Sequence, residues 1–279
     1  MILSIASGKG GTGKTTVATN LARSVDGEVA FFDCDVEEPN ANIFLKANIE
    51  KKYPATVKVP KVDEAKCTYC RKCADFCAYK AIAILKDQFL LFEGLCHSCG
   101  GCALICPENA ITEVDREIGV IEEGRTGNIN FYHGILKVGE AQSPPLIKAL
   151  KKSINRSDIA IIDAPPGTSC PVVESIRGSD FVLLVTEPTP FGLNDLKLAV
   201  AAVRELKIPF AIVLNRNDIG DDGVEWYCET EGIDIVMRIP NDRRIAEAYS
   251  KGEMIVDALP PYRERFAELH RTIGKMVER

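Results

Sequence analysis

Residues 8–15 read GKGGTGKT, a glycine-rich run with two lysines that closes on a threonine. It fits G-x-x-x-x-G-K-[ST], the spacing of a loop that wraps phosphate groups. The residue types explain the chemistry. Gly8, Gly10, Gly11 and Gly13 carry no side chain to hold backbone N–H groups away from anionic oxygens. Lys14 is expected to reach the β- and γ-phosphates, and Thr15 to offer its hydroxyl to Mg²⁺. Thr12 and Thr16 complete the expected contact set. The setting fits as well: an apolar run, ILSIA, precedes the loop. A helical pattern with Val17, Leu21 and Val25 on one face follows it, adding the positive end of its dipole.

A second chemistry lies in the cysteines. Eight of the eleven fall between positions 67 and 106, in two runs, CTYCRKCADFCAYKAI and CHSCGGCALICPENAI, which repeat at a constant offset of 29 residues. A C-x₂-C-x₂-C loop supplies three thiolates to one face of a [4Fe–4S] cube. In the two-cluster bacterial ferredoxin arrangement the fourth comes from the distant cysteine of the other run. By that crossing rule cluster I takes Cys67, Cys70, Cys73 and Cys106, and cluster II takes Cys96, Cys99, Cys102 and Cys77. Pro107 follows the last cysteine of the second run, whereas Ala78 stands in that place in the first; this position shapes a turn and is no ligand. A doubled x₂-x₂-x₃ spacing is not that of a zinc ribbon. His97, inside the second loop, is expected beside the cluster and not on it. Cys34 and Cys170 read as buried inert thiols, and Cys228 is isolated.

These loops need a scaffold. Short apolar runs, VAFFD ending at Asp33, IAIID at 159–163, FVLLV at 181–185, FAIVLN at 210–215 and IVMRI at 235–239, alternate with helical patterns. Such runs suit strands covered on both faces. The expected fold class is therefore α/β, a doubly wound, mostly parallel sheet, with a small α+β ferredoxin-like module inserted. Residues 1–58 and 115–279 form the nucleotide-binding domain and 59–114 the insert. Composition agrees, with 46% hydrophobic and 27% charged residues, as in an ordinary globular chain. A net charge of -6 disfavours nucleic acid as a partner. No apolar run is long enough to span a bilayer, and no signal peptide opens the chain, so a cytoplasmic location and reduced thiols are expected. The last helical pattern places Phe266, Leu269, Ile273 and Val277 on one face, which is expected to pack on the core and not on a membrane.

Lys9, the second lysine of the loop, gives the run a resemblance to the deviant Walker A of the MinD/ParA/Mrp superfamily, which includes the nitrogenase iron protein. That resemblance implies an ATPase and an ATP-dependent homodimer, with Lys9 reaching the partner's phosphates. FFDCDVEEPN at 31–40 resembles the family's switch I, which implies Asp35 beside the attacking water and Asn40 downstream. IIDAPPGTS at 161–169 resembles switch II of the Mrp branch, making Asp163 the Walker B carboxylate and Gly167 an N–H donor to the γ-phosphate. VLNRND at 213–218 ends where the family contacts the base through Asn215. The string is also similar to the guanine-reading N-K-x-D, with Arg216 in place of lysine; the family resemblance favours ATP. IPNDRRIAEA at 239–248 resembles the segment that packs by the base. The chain contains no CPxC of the kind that carries a bridging cluster in the Mrp branch. The whole resembles MinD-superfamily ATPases with an inserted ferredoxin domain. Three functions fit: ATP-gated electron transfer to a partner redox protein, assembly of Fe–S or other metallocofactors with a partner protein, and a ParA-like regulatory ATPase whose clusters sense redox state.

Overall fold

Along β2 (Val29–Asp33) the side chains alternate between two layers, Val29 and Phe31 entering one and Ala30 and Phe32 the other, all buried. The same alternation runs through β8 (Ile159–Asp163), β9 (Phe181–Thr186) and β10 (Phe210–Asn215), so each apolar run is a strand covered on both faces. These strands belong to a computed structural model that describes residues 1–155 and 159–278. The other strands are β1 (Ile2–Ala6), β3 (Asn48–Val62), β4 (Ile82–Leu85), β5 (Gln88–Leu91), β6 (Ile111–Thr126), β7 (Ile129–Leu136) and β11 (Ile235–Ile239). Among the described residues nine of them form one sheet in the order β11-β10-β9-β1-β8-β2-β7-β6-β3. Pairing is parallel from β11 to β7 and antiparallel for β7–β6 and β6–β3.

Helices Lys14–Ser24, Ile255–Ala258 and Pro261–Val277 cover one face; Pro144–Leu150, Cys170–Ile176, Pro190–Glu205 and Gly223–Glu231 cover the other. Phe266, Leu269 and Ile273 of the last long helix are buried in the first of these layers, so its apolar face is occupied. No helix among the described residues is long and apolar enough to cross a membrane.

Three strands of the large sheet go beyond the sequence reading. β3 and β6 are 15 and 16 residues long and pair antiparallel as an arm, largely exposed and dressed in charge. Lys51–Glu123, Lys52–Glu122 and Lys58–Asp115 bridge the two strands at 3.4, 2.9 and 2.9 Å. Each lies across a strand pair, where opposite charges support the ladder; such polar strands carry no apolar run to announce them. β7 joins this arm to β2. Positions 59 and 114 fall inside the two arm strands, whose pairing continues to Val62 and Ile111.

Residues 63–110 cap the arm. They hold the β4–β5 hairpin and the short helices Lys72–Phe76 and Gly101–Ile105. Cys73, Ile82 and Ile84 form a small core there with Ile111 of β6. The repeat seen in sequence is also a repeat in backbone. Tyr69 and Ser98, Arg71 and Gly100, and Lys80 and Asn109 all adopt positive φ at matching places. Each helix starts directly after the second residue pair of this kind, at Lys72 and at Gly101.

Candidate functional site

The C-terminal edge of a parallel sheet is where open α/β folds bind ligands, and here three strands deliver the chemistry to one place. The loop after β1 carries the glycine-rich run. Gly11 and Gly13 have φ of 80° and 94°, and Gly13 leads into the helix Lys14–Ser24. Gly8 is required for a different reason: a Cβ there would lie 2.1 Å from the carbonyl oxygen of Asp195. Lys14 is nearly buried at 8% exposure, and the buried Thr12 hydroxyl has no hydrogen-bond partner. An open cleft of about 480 Å³ lies over this loop. Gly10, Gly11, Gly13, Lys14, Thr15 and Thr16 line its floor; Asp35, Asn40, Pro166 and Asn215 line its walls.

Asp33 and Asp163, the last residues of β2 and β8, are in register and both buried. Asp33 is not a residue that sequence reading picked out. Its carboxylate accepts from the backbone N–H groups of Asp35, Asn40 and Ala41 at 3.1, 3.0 and 2.9 Å, and so shapes the turn at 34–41. Burial and the neighbouring charge of Asp163 push its pKa well up, against the pull of those N–H donors. Asp163 differs: both its oxygens are buried and without partners. Burial raises its pKa to about 6, while Lys14 and Thr15 hold it down. An unpartnered carboxylate beside a threonine hydroxyl is a donor set of hard oxygens that fits Mg²⁺. Asp35 is half-buried, its pKa raised by burial against the attraction of Lys14.

Three expected contacts take other partners in this conformation. The N–H of Gly167 donates to Ser7 O at 3.0 Å, which holds switch II against β1, so it is not presented to a phosphate. Asn215 Nδ2 donates to Thr12 O at 2.8 Å and ties the end of β10 to the phosphate loop. Lys9 Nζ lies 3.6 Å from Glu187 Oε2 of its own chain. The buried Glu187 also accepts from Arg216 at 2.8 Å. Nothing in the local sequence marks Glu187 apart from its place at the end of the apolar run of β9.

The clustered cysteines collect in two hollows. Cys67, Cys70, Cys73 and Cys106 rim one; Cys77, Cys96, Cys99 and Cys102 rim the other. In each, three thiols come from one loop and the fourth from the other run. His97 lines the second hollow, its ring stacked on Tyr79 at 3.5 Å between centroids. No three His, Cys, Asp or Glu side chains among the described residues converge closely enough to hold a single metal ion. Four soft thiol donors line each hollow, a donor set that fits iron–sulfur ligation. Cys34 and Cys228 are buried, burial raising the Cys228 thiol to about 11 and that of Cys34 higher still; Cys170 is exposed, contrary to the expectation of burial.

A phosphate loop between β1 and a buried helix, with an orphaned carboxylate on the next strand, defines a P-loop ATPase. The model of the CobQ/CobB/MinD/ParA nucleotide binding domain matches residues 3–255, and the chain belongs to that family. It is 34% identical over 264 residues to the uncharacterized protein MJ0579 of Methanocaldococcus jannaschii, covering 91% of this chain and 90% of that one. It is 27% identical over 282 residues to the iron-sulfur cluster carrier protein of Pyrococcus abyssi, covering 91% and 78%. The fold is similar to that of the septum site-determining protein MinD of Pyrococcus horikoshii, solved with Mg-ADP. The TM-score is 0.62 at 19% identity, over 99% of this chain and 96% of that one.

Proposed function

We propose that the protein couples an ATP-driven homodimer switch to electron transfer through two resident [4Fe–4S] clusters, delivered to a partner redox protein. The observation that carries this reading is the grouping of the eight cysteines into two complete sets of four, each rimming its own hollow. Cys67, Cys70, Cys73 and Cys106 would hold one cluster and Cys77, Cys96, Cys99 and Cys102 the other. When bound, such clusters supply one-electron couples, commonly at low potential. Four thiolates per cluster leave no iron without a protein ligand, which favours retention over release.

At the other site the chain's own residues do the work. The N–H groups of residues 8–15 and the Lys14 ammonium bind the triphosphate of ATP. Thr15 and Asp163 would hold Mg²⁺, which would supply charge neutralisation on the phosphates. Asp35 orients the attacking water. Lys9 leaves Glu187 and engages the nucleotide of a second copy when the dimer closes, and Asn215 and the Pro240 segment meet the base.

A second reading, assembly of Fe–S or other metallocofactors, is favoured by the names of the carrier relatives at 24–29% identity. The discriminating experiment starts from anaerobically purified, reduced protein, incubated with ATP and either an oxidised one-electron acceptor or an apo-ferredoxin. Electron transfer requires ATP-dependent oxidation with the iron content of the ATPase unchanged. Iron and sulfide lost stoichiometrically to the apo-protein would replace this reading with assembly.

A further inference from the structure

We infer that residues 137–143 form a strap that carries the nucleotide state to the Cys96 loop in particular, and not equally to the two cysteine loops. The inference rests on the reading of the thiol hollows as cluster sites and names how one of them is regulated.

Both ends of the strap are tied to adjacent residues of switch I. At its start Leu136 N donates to Val36 O at 2.8 Å. At its end Ser143 Oγ donates to Glu37 Oε1 at 2.9 Å. Asp35 and Glu38, on either side of these two residues, line the nucleotide cleft. A change in the turn at 35–38 therefore pulls on both ends of one short segment.

The middle of the strap grips β6 and, beyond it, the insert. Glu140, its side chain 3% exposed, is paired with Arg116 of β6 through both guanidinium nitrogens Nη1 and Nη2. Arg116 Nε in turn lies 4.0 Å from Glu93 Oε2. Gln142 Nε2 donates to Gly94 O at 3.4 Å. Glu93 and Gly94 belong to the 3₁₀ turn Glu93–Leu95, and Cys96 N donates to Glu93 O at 3.0 Å. The strap thus ends on the turn that positions the first cysteine of the second loop. The Glu140–Arg116 pair makes the link stiff, because separating it would leave the nearly buried Glu140 carboxylate without its cation. The Cys67 loop is anchored elsewhere, Cys67 N donating to Asp63 O just beyond the end of β3.

Ser143→Ala removes one tie at little cost to folding, and Glu140→Gln weakens the central grip. Neither residue belongs to the nucleotide site. The test is hydrogen–deuterium exchange of the full chain, anaerobic, with ADP and with a non-hydrolysable ATP analogue. The exchange of residues 93–102 should differ between the two nucleotides by on the order of fivefold, the scale of one hydrogen bond gained or lost. Residues 67–76 should change much less, and Ser143→Ala should erase most of the difference at 93–102. Equal responses in both loops, or a response that survives both Ser143→Ala and Glu140→Gln, would overturn the strap. Exchange does not depend on electron transfer, so this failure is separate from that of the cluster reading, which the acceptor experiment decides.

Discussion

Asp163→Asn tests the electrostatics of the nucleotide site with almost no change of shape. This carboxyl is buried, its oxygens lack protein partners, and its pKa stands at about 6 instead of 3.8. A raised carboxyl pKa means that the fold disfavours the charged form. Stability is therefore full below pH ~4, falls as pH rises through about 6, and stays reduced above that. At about 1.36 kcal/mol per pH unit, the interval corresponds to about 3 kcal/mol. A buried amide has polar atoms of its own to satisfy, which offsets about 1–2 kcal/mol of the gain. Asp163→Asn should thus be more stable than the wild type by about 1–2 kcal/mol at pH 7.5, and less stable than it by about 1 kcal/mol at pH 4, where the wild-type carboxyl is protonated and only the cost of the amide remains. Urea unfolding at a series of pH values, under anaerobic conditions, measures the difference directly. Adding Mg-ATP at 100 times its Kd should stabilise the wild type by about 2.7 kcal/mol, and Asp163→Asn far less. A variant no more stable than wild type at pH 7.5, or one with the same advantage at pH 4, would refute the assignment of Asp163 as a destabilised carboxylate awaiting a cation.

The other predictions concern the thiols and Lys9. Anaerobic protein should contain about eight iron and eight sulfide per chain; Cys70→Ser should damage the cluster of the first hollow. Cys77→Ser should damage that of the second, though it lies in the first run, and EPR of the two variants distinguishes them. Lys9→Ala should keep nucleotide binding and lose ATP-dependent dimerisation and hydrolysis, read by light scattering and phosphate release. Its stability should change by less than about 1 kcal/mol, because the pair with Glu187 is partly exposed on the lysine side.

The phosphate loop and the cysteine loops are legible in the amino-acid sequence because their chemistry is local. One run of eight residues suffices to form a phosphate-binding loop, and C-x₂-C-x₂-C gathers three thiols on one short loop, whatever surrounds them. The parallel strands are legible for a related reason: burial on both faces leaves an unbroken apolar run. The fold then makes choices that no spacing records. β3 and β6 hold their ladder with cross-strand lysine and acid pairs, so their polar faces look like surface until the partner strand is in place. Asp33 and Asp163 are 130 positions apart and become one buried pair only through the register of β2 and β8. Glu187 meets Lys9 across 178 positions, and the strap meets Glu37 across 106 and the Cys96 turn across 48. Long-range contacts of this kind depend on the order of strands in the sheet, and it is the tertiary structure that decides which buried charges find a partner.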